Sequence, residues 1–194
     1  MPVFDAYLMV DWSAANAPNR GKDSIWLGLT VRGRHGLRLT HLENPATRAN
    51  ATERIIQLAA INLHRGRRIL IGFDFPFGFP AGTARALGKR GLPWRNLWQE
   101  LDDRLVDHDD NRNNRFDVAE GLNAALTGEP FPFWGLSREE VRPFLVRRNR
   151  RPHGEDDLAE RRLCDIRIPS TQPVWKLAGA GSVGSQVLTG IPRV

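Results

Sequence analysis

The sequence predicts an α/β domain built on a mixed sheet: three antiparallel strands, a crossover helix, a parallel fourth strand, and then a helical insertion. Three observations carry this expectation: four short apolar runs of strand length, a helix-spaced stretch just before the fourth, and a change to polar, helix-patterned text after Pro80. The 194 residues suit a single domain with the insertion at about 81–150.

"FDAYLMVDW" is a bulky apolar run that reads as a buried strand ending near Asp11. "SIWLGLTVR" and "LRLTHLE" follow as two more strands, and the glycines of "GRHG" between them suit a hairpin turn. From Thr47 to Arg65, the residues Ile55, Ile56, Leu58, Ala59, Ile61, Asn62 and Leu63, taken together as the apolar set, recur at roughly helical spacing, and Gly66 is placed to stop the helix. "RRILIGFDF" supplies the fourth strand. Hairpin-linked strands run antiparallel, whereas a strand arriving after a crossover helix pairs most simply parallel to an earlier one. With the fourth strand beside the first, Asp11 and Asp74 emerge together at carboxyl ends, where ligands bind in open α/β sheets.

Beyond Pro80, helices are expected at "AGTARALGK", "WRNLWQELDDRLVD", "RFDVAEGLNAAL" and "SREEVRPFLVRR", broken by "GLP", "HDDNRNN" and "GEPFPFWG". "EDDLAERRLCDIR" and "SVGSQVLTG" read as two further helices. Trp94, Trp98, Phe131, Phe133 and Trp134 are expected to form the local core here, although aromatics beside arginines can also stack on unpaired bases.

Composition excludes several classes. Hydrophobic content of 41% and charged content of 26% argue against wholesale disorder. No apolar run approaches the roughly 20 residues that span a bilayer, and Asp5 stands where a secretory signal carries basic residues, so a soluble, cytoplasmic protein is expected. Cys164 is the only cysteine, which excludes an intrachain disulfide; it is expected in the core. His35, His41, His64, His108 and His153 are scattered without the spacing of a zinc site. The net charge of +6 is almost wholly arginine, since Lys22, Lys89 and Lys176 are the only lysines. Arginine suits phosphate recognition, and genome composition gives the same skew, so nucleic acid stays open as a partner.

Asp11 and Asp74 are the leading chemical candidates. Each ends an apolar strand and each is followed at once by an aromatic, in "VDWS" and "FDFP". Converging carboxylates need a proton, an arginine or a metal; with nothing basic beside them, Mg²⁺ or Mn²⁺ is the expected partner. The competing reading makes each a turn cap. Ser13 could donate to a phosphate or serve as an ordinary turn hydroxyl. Asp165, four residues after Arg161 on one helix face, is the weakest candidate for a third carboxylate, and Arg161, Arg162 and Lys176 are candidate phosphate contacts. "GAGSVG", Gly179 to Gly184, matches a dinucleotide fingerprint in letters only, because no βαβ unit or acidic residue follows it. It is either an anion nest or a connection. No G-x-S-x-G elbow and no phosphate-binding P-loop occurs.

With "VDWSAANAPNRGKDSIW", "IGFDFPFGFP", "RRLCDIR" and "PVWKLAGAGSVGSQVLTGIP", the chain resembles a family of uncharacterised bacterial proteins predicted to be ribonuclease H-like nucleases, some of which carry a cobalamin-biosynthesis label. The matching segments run from Val10 to Pro192. The resemblance implies a ribonuclease H-like fold in which acidic residues on the first and fourth strands bind metal, roles that fall on Asp11 and Asp74. Such nucleases use further acidic residues, and the family continues past this point with a glutamate-bearing strand. The C-terminal end is therefore expected to be truncated and the metal site incomplete.

The leading expectation is a phosphodiester hydrolase acting on nucleic acid, with two metals about 3.5–4 Å apart activating water and stabilising the leaving oxygen. One alternative is an actin-like or sugar-kinase-like phosphotransferase, with "DWSAANAPNRG" facing the phosphates. The other is a non-catalytic accessory protein whose arginines hold an acidic partner.

Overall fold

The computed structural model describes residues 3–136, 140–168 and 170–194. The chain gathers into two compact units, one of residues 1–74 with 107–113, the other of residues 75–106 with 114–194.

The first unit is α/β. Strands β1 (Ala6–Asp11), β2 (Trp26–Gly33), β3 (Gly36–Glu43) and β4 (Ile69–Phe73) form one sheet in the order β3-β2-β1-β4. β1 and β2 pair antiparallel, as do β2 and β3, whereas β1 and β4 pair parallel, with Val10 opposite Phe73. The mixed sheet predicted from strand order is thus present, with Arg34 and His35 as the hairpin turn. Alternation along the strands buries Ala6, Leu8 and Val10 of β1 with Leu27, Leu29 and Val31 of β2, while Met9 stays exposed on the other face.

The crossover helix α1 (Arg48–His64) starts where Thr47, in extended conformation, accepts the Asn50 amide on its hydroxyl. Gly66, at φ +69°, follows its end as the spacing predicts. Its buried face is Arg48, Ala51, Ile55, Leu58 and Asn62. Ile56, Ile61 and Leu63, counted among the apolar positions of the sequence pattern, are exposed instead. The inner face instead takes in Arg48, and Asn62 of the pattern is buried as a polar side chain; the groups of both are bonded inside the unit.

Arg48 has no exposed side-chain surface. Its guanidinium forms a two-pronged ion pair with Asp107, donates to the carbonyls of Ser13 (3.2 Å) and Ala15 (2.8 Å), and donates to the Asn111 carbonyl at 2.7 Å. Asn111 in turn accepts the Arg48 amide and donates to the carbonyls of Ala17 and Ala46. These bonds make the stretch Asp107–Asn113 part of the first unit.

The second unit carries α2 (Thr83–Ala86), α3 (Pro93–Arg104), α4 (Arg115–Leu126), α5 (Leu163–Arg167), α6 (Gly184–Gly190) and a closing 3₁₀ turn over Ile191–Arg193. Its core stacks Phe79, Phe133 and Trp175, with ring centroids 5.0–5.8 Å apart. Phe75 lies so close to Gly190 that a Cβ there would come within 2.4 Å of the ring. Phe131 and Phe133 are core as expected, whereas Trp94 is exposed. Cys164 is exposed too, because α5 turns Asp165 inward rather than its cysteine.

Two predicted helices differ. Of "SREEVRPFLVRR", Ser137, Arg138 and Glu139 lie outside the described residues, and 140–148 is not helical. Pro143 removes a backbone donor there, and α4 takes the polar groups instead: Asn123 donates to the Phe144 carbonyl, Glu120 accepts the Phe144 amide, and Arg142 bonds Asp117 and Glu120. Of "EDDLAERRLCDIR", only Leu163–Arg167 is helical. Asp157 accepts the Gly154 amide and pairs with Arg151, which holds its start in a turn. No described helix is long and apolar enough to cross a membrane.

Removing one partner of a buried ion pair leaves the other charge uncompensated, so Asp107→Ala is expected to cost about 3–5 kcal/mol in urea denaturation. A cost below about 1 kcal/mol would mean that water reaches the Arg48 guanidinium and that the pair is not a structural anchor.

Candidate functional site

Parallel pairing of β1 and β4 sets the site. The ladder ends at Val10 opposite Phe73, and one further bond, from the Asp74 amide to the Val10 carbonyl at 3.2 Å, carries the register past the strand. Asp11 and Asp74 therefore occupy neighbouring carboxyl ends, both with a face to solvent. Asp11 is held from its other side by antiparallel pairing with Trp26.

Asp74 is oriented from the backbone. The Trp12 amide donates to its Oδ1 at 2.8 Å, while the buried Trp12 ring packs edge-on against Phe73 at 6.0 Å. The aromatics that follow each aspartate thus divide: Trp12 and Phe73 pack within the first unit, and Phe75 begins the second. The inward-turned end of the Asp74 carboxyl decides its chemistry. Burial pushes it up to about 6; the Trp12 N–H opposes the shift, and the charge and hydrogen bond of Asp11 reinforce it. The two carboxyl groups lie within hydrogen-bonding reach, and Asp74 holds its proton at a pH where an ordinary aspartate has lost it.

Ser13 lies in the loop that follows. Its hydroxyl donates to the Asp23 carbonyl at 3.1 Å and accepts the Ala15 amide at 3.3 Å, while its carbonyl accepts from Arg48. The hydroxyl is engaged in shaping the loop.

Asp165, Arg161, Arg162 and Lys176 belong to the second unit. Asp165 is buried and accepts the Arg162 amide at 3.0 Å and the Arg162 guanidinium at 2.7 and 2.9 Å, which caps α5 and holds the carboxyl below its ordinary range despite burial. Arg161 donates to the Thr171 carbonyl at 2.8 Å. The Lys176 ammonium bonds the Ala180 carbonyl inside the glycine loop. In that loop Gly184 is obligatory, since a Cβ would lie 2.5 Å from the Val174 carbonyl. Among the described residues, no group of three or more His, Cys, Asp or Glu side chains is gathered as for a metal ion, so Asp11 and Asp74 stand as a pair.

Sequence reasoning missed Arg48, Asp107 and Asn111, which fix the loop beside Asp11, and the part played by the Trp12 amide. Arg48 directly follows the helix-capping Thr47, but nothing local separates it from the many other arginines of the chain.

The raised Asp74 value has a defined consequence for stability. The folded state holds the proton more tightly than the unfolded chain, so the stability gained by protonation is full below about pH 4 and is lost as pH rises to about 6. Asp74→Asn keeps an oxygen for the Trp12 amide. In EDTA above pH 7 it is expected to be at least as stable as the wild type, with a flatter stability profile between pH 4 and pH 6 by urea denaturation. Since Asp74 is partly solvated, the gain is expected to stay below about 1 kcal/mol, and a clear loss would assign the side chain to turn capping. No protein-family model, curated protein or solved structure matches the chain, so the functional reading rests on this geometry.

Proposed function

We propose that the chain is a divalent-metal-dependent phosphodiester hydrolase of ribonuclease H-like fold, acting on nucleic acid, with Asp11 and Asp74 holding Mg²⁺ or Mn²⁺. The observation that carries this reading is the adjacency of two solvent-facing carboxyl groups at the ends of parallel strands, one of them with its proton affinity raised. Such a pair is electrostatically unfavourable when both members ionise, and a cation relieves that repulsion.

The donor set fits one ion. Mg²⁺ takes oxygen ligands, is bound by one or two carboxylates, and keeps several waters. Two carboxylates offset one divalent charge, and no third joins them among the described residues, so a single hydrated cation is proposed in place of two. When bound, the cation lowers the pKa of its water and polarises a phosphoryl oxygen.

The surrounding residues have positioning roles. The Trp12 amide fixes one Asp74 oxygen, and the carboxyl group also meets that of Asp11. Arg48 holds the Ser13 and Ala15 carbonyls, so the segment leaving Asp11 keeps one path. Phosphotransfer is the weaker reading, because this same loop commits its Ser13 hydroxyl and two carbonyls to internal bonds. With Asp165, Arg161 and Arg162 engaged within the second unit, contacts to phosphate fall to other cations.

Calorimetry with Mg²⁺ and Mn²⁺, and cleavage of labelled single-stranded and duplex substrates with metal or EDTA, test this. Metal binding is expected to strengthen as pH rises through about 6, because the ion must displace the proton held by Asp74. Asp11→Asn and Asp74→Asn are expected to lose metal binding and to reduce cleavage by about 100-fold or more. Wild-type cleavage that survives both substitutions would remove the pair from catalysis. A wild type that neither binds metal nor cleaves would leave the non-catalytic accessory role.

A further inference from the structure

We infer that the exposed aromatic groove along α3 of the second unit is a binding site for unpaired nucleobases of a single-stranded nucleic acid. This site goes beyond the metal-centre reading and needs no cation.

Helix α3 carries a stripe of apolar side chains that is buried at its centre and open at its border. Leu97 and Leu101 are buried and account for its packing. Trp94 and Trp98, one turn apart, border that buried stripe at the surface: Trp94 is 55% exposed and Trp98 half-buried. The two indoles meet at nearly a right angle, with centroids 5.4 Å apart and planes at 81°, so they are not stacked on each other and at most one face of Trp94 is taken by the neighbouring ring. Trp98 is anchored from behind, its Nε1 donating to the Phe77 carbonyl at 2.9 Å. Phe77, itself 43% exposed, packs edge-on against Trp98 at 6.2 Å and against the buried Phe75 at 5.5 Å. A chain of rings thus runs from the core to the surface and ends in the exposed indole of Trp94. Beside it lies a groove of about 270 Å³ lined by residues of α3, Trp94, Arg95 and Trp98 among them, and by the apolar Ile191, Pro192 and Val194.

The charges indicate what fills it. Lys89 and Arg104 are both paired with Glu100. Arg85, Arg90 and Arg95 are exposed and make no side-chain ion pair among the described residues. The Arg90 carbonyl accepts the Asn96 side chain at 2.8 Å, which ties the arginine-bearing loop to the first turn of α3, beside Trp94. A partner helix or apolar peptide would use the rings and have no need of unpaired guanidiniums. A free phosphate would use the guanidiniums and have no need of the rings. Single-stranded nucleic acid uses both: bases stack on the indole while arginines follow the backbone. Gln99, whose amide nitrogen donates to Asp103 at 2.8 Å and whose oxygen can accept, and Asp102 line the same groove. Duplex bases are already stacked on each other, so a preference for single strands follows.

The test is fluorescence anisotropy of a short labelled pyrimidine oligonucleotide with the full chain in EDTA, where metal plays no part. Wild type is expected to bind the single strand more tightly than the matching duplex. Trp94→Ala is expected to weaken binding about tenfold, and Trp94→Phe, which keeps a stacking face, to restore most of it. Arg95→Ala is expected to lower the slope of log affinity against log salt by about one. Both positions are exposed, and unchanged thermal unfolding of the variants would confirm that only the groove is altered. No binding by the wild type, equal binding of duplex, or Trp94→Ala binding like wild type would each overturn the proposal. The outcomes separate from those at the metal centre: cleavage with unaltered Trp94→Ala affinity rejects this groove alone, while Trp94-dependent binding without cleavage rejects the hydrolase alone.

Discussion

A guanidinium with no exposed surface must be neutralised and nearly saturated with acceptors, and that requirement at Arg48 organises the first unit. Its donors reach a carboxylate on one chain segment, two carbonyls on the loop after β1, and a carbonyl at Asn111, which holds φ +71° to present it. Since Arg48 is the first residue of α1, one side chain joins the helix start, the β1 exit loop and the Asp107–Asn113 stretch. Isolating such a charge costs several kcal/mol, so these segments keep their arrangement only together. That is why a stretch lying between α3 and α4 in sequence belongs to the sheet-bearing unit.

The candidate site inherits its order from that anchor and from the ladder. The β1–β4 register fixes where Asp11 and Asp74 start, and the Trp12 amide fixes how Asp74 points. Arg48 then keeps the segment beyond Trp12 from drifting. Backbone and buried groups thus position the pair, and neither carboxylate has to be held by a side-chain cation. An arginine placed there would neutralise the pair and compete with the cation proposed above.

Hydrophobic periodicity made the sheet and α1 legible, because strand-length apolar runs and a helix-spaced stretch have few other solutions in a chain of this size. Adjacency of Asp11 and Asp74 was legible for the same reason, since the topology rule for a crossover helix brings the two strand ends together. Three kinds of information were hidden. The pairing of Arg48 with Asp107 spans 59 residues and uses residue types that are elsewhere on the surface. The fate of 140–148 and of the stretch before α5 depends on side chains of α4 and on local ion pairs, which compete with helix formation outside any local window. The inward turn of Asp165 rests on an Arg162 side chain three residues away, a contact whose direction spacing alone leaves undecided.

The same electrostatics that mark the Asp pair as a site also set what it gives up. A carboxyl whose proton affinity is raised destabilises the folded chain wherever it is ionised, and neutral pH lies in that range. Elsewhere the chain avoids such a cost: Glu100 sits between Lys89 and Arg104, and Asp165 is enclosed by Arg162. Both are held below the ordinary carboxylate range, although burial alone would raise them. Cations are plentiful in this sequence, so Asp11 and Asp74 do not lack a protein partner for want of arginine. A pair kept together, oriented by an amide and, among the described residues, left without a guanidinium has the charge and oxygen donors that the proposed hydrated divalent cation would need.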